Sequence, residues 1–175
     1  MGFNWKRKLL YYYAKIVRAD GTPEYIARGW ALGMFIGCLI PMSFQLMISI
    51  PLSFVIRGSK IGAALGTLIT NPVSVIFIYP VQCYVGNLII GGSLTYKGIS
   101  ESLKAIYVDQ SWSAFLAMGW DLILSFFAGG LLFALIMTPP TYFLVKLLVL
   151  RYRSFKEKRR EKRAARLAAR KQRGA

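Results

Sequence analysis

The chain has 175 residues, 55% of them hydrophobic, and a formal net charge of +16. A soluble domain of this size exposes too large a share of its surface to hide so many apolar side chains, so composition excludes an ordinary water-soluble globule and points to lipid. There is no histidine, which removes the usual general base and the commonest metal ligand; no metal or cofactor is expected.

The charge is segregated along the chain. Residues 1–28 carry six basic and two acidic side chains, and residues 146–175 carry thirteen and two. Between them stand only Arg57, Lys60, Lys97, Glu101, Lys104, Asp109 and Asp121. Three regions follow: an amphipathic segment over 1–20, an apolar domain over 21–150 and a basic tail over 151–175. Cys38 and Cys83 lie far apart in apolar runs and indicate no disulfide framework. Lys15 and Arg18 interrupt the first apolar run too early for a signal peptide, and Lys6 stands where a myristoylation signal needs Ser or Thr.

In chain order, residues 3–18 mix Trp5, Tyr11, Tyr12 and Tyr13 with lysines and arginines, the composition of a helix lying at a membrane interface. Thr22-Pro23-Glu24 starts the next helix: Thr22 caps, Pro23 fits the first position and Glu24 complements the dipole. Gly29 to Ile56 is uncharged but broken by Pro41 and perturbed by Pro51. Each half has roughly 14 residues, short of the roughly 20 needed for a straight crossing. A re-entrant hairpin with its tip at Pro41–Gln45 fits better than a single kinked span. The loop Arg57–Lys60 is basic. A short segment then runs to Thr70, breaks at Asn71-Pro72, and a longer helix runs from Val73 to about Ile90, ended by Gly91-Gly92-Ser93. Residues 93–113 read as a polar connection. Ser113 to Met137 is the cleanest span, stopped by Thr138-Pro139-Pro140, with a short apolar helix over 141–150 leading into the tail.

The fold expected is therefore an all-α integral membrane protein, with broken or re-entrant helices plus transmembrane helices. The distribution of Lys and Arg places both termini and the Arg57–Lys60 loop in the cytoplasm and residues 93–113 outside. Broken helices need protein neighbours to cover their freed backbone groups, which favours self-association into a homo-oligomer.

Three features can carry function. Ser43 and Gln45 follow the Pro41 break, and Thr70 and Asn71 sit at the second. Transporters build substrate sites at such breaks, while the plainer alternative is that these side chains satisfy backbone groups and lock helices together. Arg28 and Arg57 flank the first apolar segment and can bind lipid phosphate or simply orient the chain. Asp121 is either an acid within the membrane or an interfacial one. In the tail, Lys156, Lys158, Arg159, Arg160, Lys162 and Arg163 suit anionic membrane lipids at about 1 kcal/mol per basic residue near the surface. Nucleic acid is the less favoured partner, because no aromatic is interleaved after Phe155 to stack on bases. No Walker lysine loop, G-x-S-x-G or paired catalytic acids are present, so an enzyme is not expected.

The stretch Pro23-Glu24-Tyr25-Ile26-Ala27-Arg28-Gly29-Trp30-Ala31-Leu32-Gly33-Met34-Phe35-Ile36-Gly37, followed by Pro41 and Phe44-Gln45, resembles the start of domain-of-unknown-function family 2062. Gly66-Thr67-Leu68-Ile69-Thr70-Asn71-Pro72-Val73-Ser74, with Pro80 and Gly86 beyond, is similar to that family's Asn-Pro segment. The resemblance covers roughly residues 20–145 and does not extend to the tail. The family commonly has Gly at the place of Ser43 or Phe44 and often Asn where Gly58-Ser59 stand. The resemblance implies a bacterial inner-membrane location and supplies no activity. Two functions stay open: a non-enzymatic membrane component that organises partners or anionic lipids, and a small transporter or lipid translocator working at the two breaks.

Overall fold

A computed structural model describes residues 20–68, 70–109 and 119–173. The interfacial helix expected over 3–18, and the first residues of the span expected from Ser113, lie outside them. Among the described residues all regular structure is helical. The helices are α1 (Pro23–Leu39), α2 (Gln45–Val55), α3 (Lys60–Thr67), α4 (Pro72–Ile89), α5 (Tyr96–Asp109) and α6 (Trp120–Arg173), with a short 3₁₀ turn, Met42–Phe44, between α1 and α2.

The helix ends follow from local chemistry. The Tyr25 backbone N–H donates to Thr22 Oγ1 at 3.1 Å, with Pro23 in the first helical turn; this satisfies one of the amides a helix start leaves unpaired. Asn71 does the same for α4 twice over: its Oδ1 accepts from Val73 N at 2.9 Å and Ser74 N at 3.0 Å. Ser74 Oγ in return accepts from Asn71 N at 2.9 Å, closing a capping box. Ser59 caps α3 through Gly62 N at 3.1 Å.

Residues 29–56 form a helical hairpin, not a kinked rod. Gln45 returns to Gly37, Leu52 and Ile56 pack on the cluster containing Leu32 and Ile36, and Ser59 N donates to Tyr25 O at 3.0 Å. α3 then runs parallel to α1. A Cβ added at Gly29 would strike the Ser59 carbonyl, one at Gly33 the Ala63 carbonyl, and one at Gly66 the Trp30 carbonyl. Gly29, Gly33 and Gly37 recur every four residues along one side of α1, and Gly58, Gly62 and Gly66 repeat that spacing in and just before α3. Small residues at this spacing let two backbones meet directly, with dispersion contacts in place of interdigitated side chains.

α6 is the spine. It lies antiparallel to α1: the Gly130 position faces the Cys38 carbonyl, Val145 and Val149 pack on Ile26 and Ala27, and Lys146 pairs with Glu24 at 3.0 Å. Two turns beyond Lys146 the Arg153 guanidinium donates to the Gly21 carbonyl. The first half of α6 packs on α4, where Gly86 meets the Ser125 backbone and Gly129 the Gln82 carbonyl. Val75, Tyr79, Cys83, Ile99, Leu122, Ile123 and Phe126 form the core joining α4, α5 and α6, with the Tyr79 and Phe126 rings edge to face at 5.0 Å.

Two expectations are corrected. Residues 93–113 are not merely a connection, since α5 occupies Tyr96–Asp109 and buries Ile99 in that core. Thr138-Pro139-Pro140 does not stop a helix, because α6 passes straight through. The two prolines cannot donate to the carbonyls of Leu135 and Ile136, but both are exposed and so displace no packed neighbour. Thr141 Oγ1 donates to the Met137 carbonyl beside them at 2.8 Å. The tail is accordingly the continuation of the last apolar helix.

The pattern of exposure is inverted. The buried residues of α2 are Gln45, Ser49 and Ser53, whereas Met47 is 75% exposed, Phe54 59% and Val55 76%. One described helix, within Trp120–Arg163, is long and apolar enough to cross a membrane, and Met42–Val55 and Val73–Ile89 are shorter apolar helices.

Gly33→Ala and Gly86→Ala should each destabilise the fold by about 1–3 kcal/mol, the usual cost of overpacking. Gly98, whose added Cβ would meet only Thr95 Oγ1 at 3.4 Å, should tolerate alanine within about 0.5 kcal/mol. Denaturant unfolding of the three variants in detergent checks the ranking; equal effects would contradict the backbone contacts.

Candidate functional site at the paired helix breaks

The proline that ends α1 creates a specific deficit. Pro41 has no N–H to give the Gly37 carbonyl four residues earlier. Gln45 supplies the missing donor: its Nε2 donates to Gly37 O at 3.0 Å and to Ile40 O at 2.8 Å. The side chain is 2% exposed. Its Oε1 accepts from Thr70 Oγ1 at 3.0 Å, which fixes the second break to the first. Thr70 Oγ1 also lies 2.9 Å from the Thr67 carbonyl in the last turn of α3. Tyr79 Oη stands 3.5 Å from Gln45 Nε2, at the limit of a hydrogen bond.

Gln82 completes the end of α1 from the other side. Its Nε2 donates to Cys38 O and to Phe126 O, both at 3.0 Å, tying α1 and α6 to α4. Two glutamine amides thus satisfy three carbonyls at the end of α1. Among the described residues, the buried Gln82 Oε1 and the buried Ser49 hydroxyl have no hydrogen-bond partner.

The expected site residues separate into groups. Gln45 and Thr70 are bonded to each other, and Asn71 beside them caps α4. Ser43 is exposed on the turn and stands apart from this network. Arg28 and Arg57 are exposed at the opposite end of α1 from the break. There the close approach of Gly58 to Gly29 brings the two segments together, and the Lys60 ammonium sits 4.0 Å from the centre of the Phe54 ring. Arg57 has φ +50°, a left-handed conformation uncommon for a non-glycine residue, which turns the chain from α2 into α3. Asp121 is exposed at the other extremity, lining a hollow with Leu94, Ile99, Ser102 and Trp120. It makes no part of the break. Lys156, Lys158, Arg159, Arg160, Lys162 and Arg163 are all exposed on α6.

Sequence reasoning passed over Tyr79, Gln82, Ser49 and Ser53. A signal for three of them was present. Ser49 and Ser53 follow Gln45 at intervals of four, and Gln82 interrupts the apolar run of α4.

What the break can do is limited by its chemistry. Its hydrogen-bonding groups are amides, hydroxyls and carbonyls, with no carboxylate or ammonium among the residues bonded there. Among the described residues no three His, Cys, Asp or Glu side chains converge as a metal site. The arrangement is suited to holding helices in register. At the basic end, the hydrogen bond from Lys146 is the main cause that holds the Glu24 carboxyl below its ordinary range. The stabilisation from the ion pair is therefore fully present above the ordinary carboxylate range and is lost as the pH falls through the lowered value of Glu24.

Residues 6–158 match the model of a family described as an uncharacterized protein conserved in bacteria, DUF2062. No curated protein matches the chain, and neither does any solved structure.

Gln45→Ala should cost about 2–4 kcal/mol, because it strands two carbonyls and the Thr70 hydroxyl in a buried setting. Thr70→Val should cost about 1 kcal/mol, and a double-mutant cycle should give coupling of at least about 0.5 kcal/mol. Ser43→Ala should stay within about 0.5 kcal/mol. Unfolding in detergent measures all four variants, and zero coupling would refute the bridge.

Proposed function

The chain belongs to the DUF2062 family, whose description names no activity, and we propose its function from the chemistry of its surface. It is a non-enzymatic, membrane-embedded protein that gathers anionic lipid headgroups, or partners of like charge, at one basic end. The observation that carries this reading is the course of α6. It leads without a break from an apolar stretch, Leu122–Val145, into the basic turns that begin at Arg151. That stretch is 24 residues, or about 36 Å of helix, enough to cross a hydrocarbon layer of about 30 Å with some tilt.

The inverted exposure supports the membrane. Turning the amides and hydroxyls of α2 inward and its large apolar side chains outward would be costly in water. It is what a helix surrounded by lipid requires. Arg28, Arg57 and Lys60 lie at the end of the bundle where α6 turns basic, since Glu24 meets Lys146 and Gly21 meets Arg153. Residues 94–102 lie near the start of α6, beside Gly119–Leu122. With Lys and Arg retained on the cytoplasmic side, the basic end faces the cytoplasm and α5 the outside. The alternative of a translocator working at the breaks has less support, because the donors of Gln45 and Gln82 are spent on protein carbonyls.

Single cysteines at Lys60, Ser93 and Ser154, with the buried Cys38 and Cys83 replaced by alanine, test the arrangement in intact cells. A membrane-impermeant thiol reagent should label Ser93→Cys from outside, and Lys60→Cys and Ser154→Cys only after lysis. Labelling of all three before lysis would sink the embedded topology.

A further inference from the structure

The basic part of α6 is not uniformly basic. At about 100° per residue, Tyr152, Phe155, Lys156, Arg159, Arg160 and Arg163 fall along one face. These six line a groove of about 430 Å³. Glu157 and Glu161 both fall on the opposite side of the helix. One face is therefore free of acid and carries four cations, three of them arginine; the other mixes both signs. A segment serving only to fix orientation has no need of this segregation, because orientation depends on the number of Lys and Arg and little on their facing.

The order of residues along that face is also informative. Tyr152 and Phe155 come first, nearest the apolar stretch, and Phe155 is 66% exposed. Aromatic rings there suit the level where acyl chains meet headgroups. The cations follow over the next turns, and Tyr152 to Arg163 spans about 16 Å of helix. A single phosphate reaches one or two guanidinium groups. Lys156 and Arg163 are about 10 Å apart along the axis, so engaging both takes more than one phosphate. Arginine forks bind phosphate oxygens through two parallel hydrogen bonds, which a lysine-only face would lack.

We propose that the acid-free face of α6 from Tyr152 to Arg163 is a binding surface for a membrane lipid whose headgroup carries two or more phosphates. This rests on the membrane-embedded reading above. The rings sit at the base of the headgroup and the cations beyond them take its phosphates. The recognition is by the spacing of charge along one face, not by net charge.

The test uses the full chain in mixed micelles, with bound lipid measured by native mass spectrometry. The lipids are neutral phosphatidylcholine, phosphatidylglycerol with one phosphate and cardiolipin with two, the anionic lipids compared at equal total charge. Wild type should retain cardiolipin over phosphatidylglycerol by about tenfold. The triple variant Arg159→Ala, Arg160→Ala, Arg163→Ala should lose that preference. A charge-matched triple outside this face, Arg151→Ala, Lys158→Ala, Lys162→Ala, should keep it within about twofold. Alanine preserves helix at all six positions, and circular dichroism confirms that the variants remain folded. Equal losses in the two triples, or no preference for two phosphates in wild type, would overturn the inference while leaving a general attraction to anionic lipid. Displacement of cardiolipin by an RNA duplex at lower concentration would overturn it in favour of a nucleic-acid surface. Wild type that fails to distinguish anionic from neutral lipid would instead remove the proposed function itself.

Discussion

The constraint on which the rest of the structure depends is the deficit left by Pro41. A helix that ends among apolar neighbours has no water to take its last carbonyls, and proline removes one of the amides that would otherwise do so. Gln45 fills that place from the first turn of the next helix. To do so α2 must fold back, which makes the hairpin; with α2 folded back, α3 is delivered alongside α1, parallel to it, where paired glycines allow contact. The Thr70 bond then sets where α3 ends and α4 begins. Each later step inherits its geometry from one side-chain amide.

Much of this was legible in the residues. Thr22-Pro23 and Asn71-Pro72 mark helix starts because capping depends on a few adjacent atoms, and the observed caps use those atoms. The hairpin followed from length and the Pro41 break, and Gln45 and Thr70 stood out as polar groups in apolar runs. Other features escaped for identifiable reasons. The glycine spacing of α1 and α3 gains meaning only when two segments are known to be neighbours. The helix α5 was hidden by its polarity, although Tyr96, Ile99 and Leu103 recur at helical intervals. Pro139-Pro140 misled because the rule for proline weighs a helix against its solvated alternatives. Here α6 continues on both sides of the pair, and unwinding it would free more carbonyls than the two prolines already do.

The division of the chain into an apolar domain and a tail at residue 150 is a division of composition, not of secondary structure. α6 spans both. Contacts at the start of this helix hold α4 and α5, contacts in its middle hold α1, and its far turns carry the cations. Lys146 and Arg153, engaged with Glu24 and Gly21, clamp α1 to α6 just before the charged face begins.

The parallel course of α1 and α3 has an electrical consequence. Two helices that end together bring two negative dipole ends, each worth about half an elementary charge, to one place. Left alone, they would attract a cation to the break. The hairpin and the Asn71 cap bring the starts of α2 and α4 to the same point, and these contribute positive ends of similar size. The four half-charges cancel. The junction is electrically quiet by its topology, and an ion is not needed to hold it together.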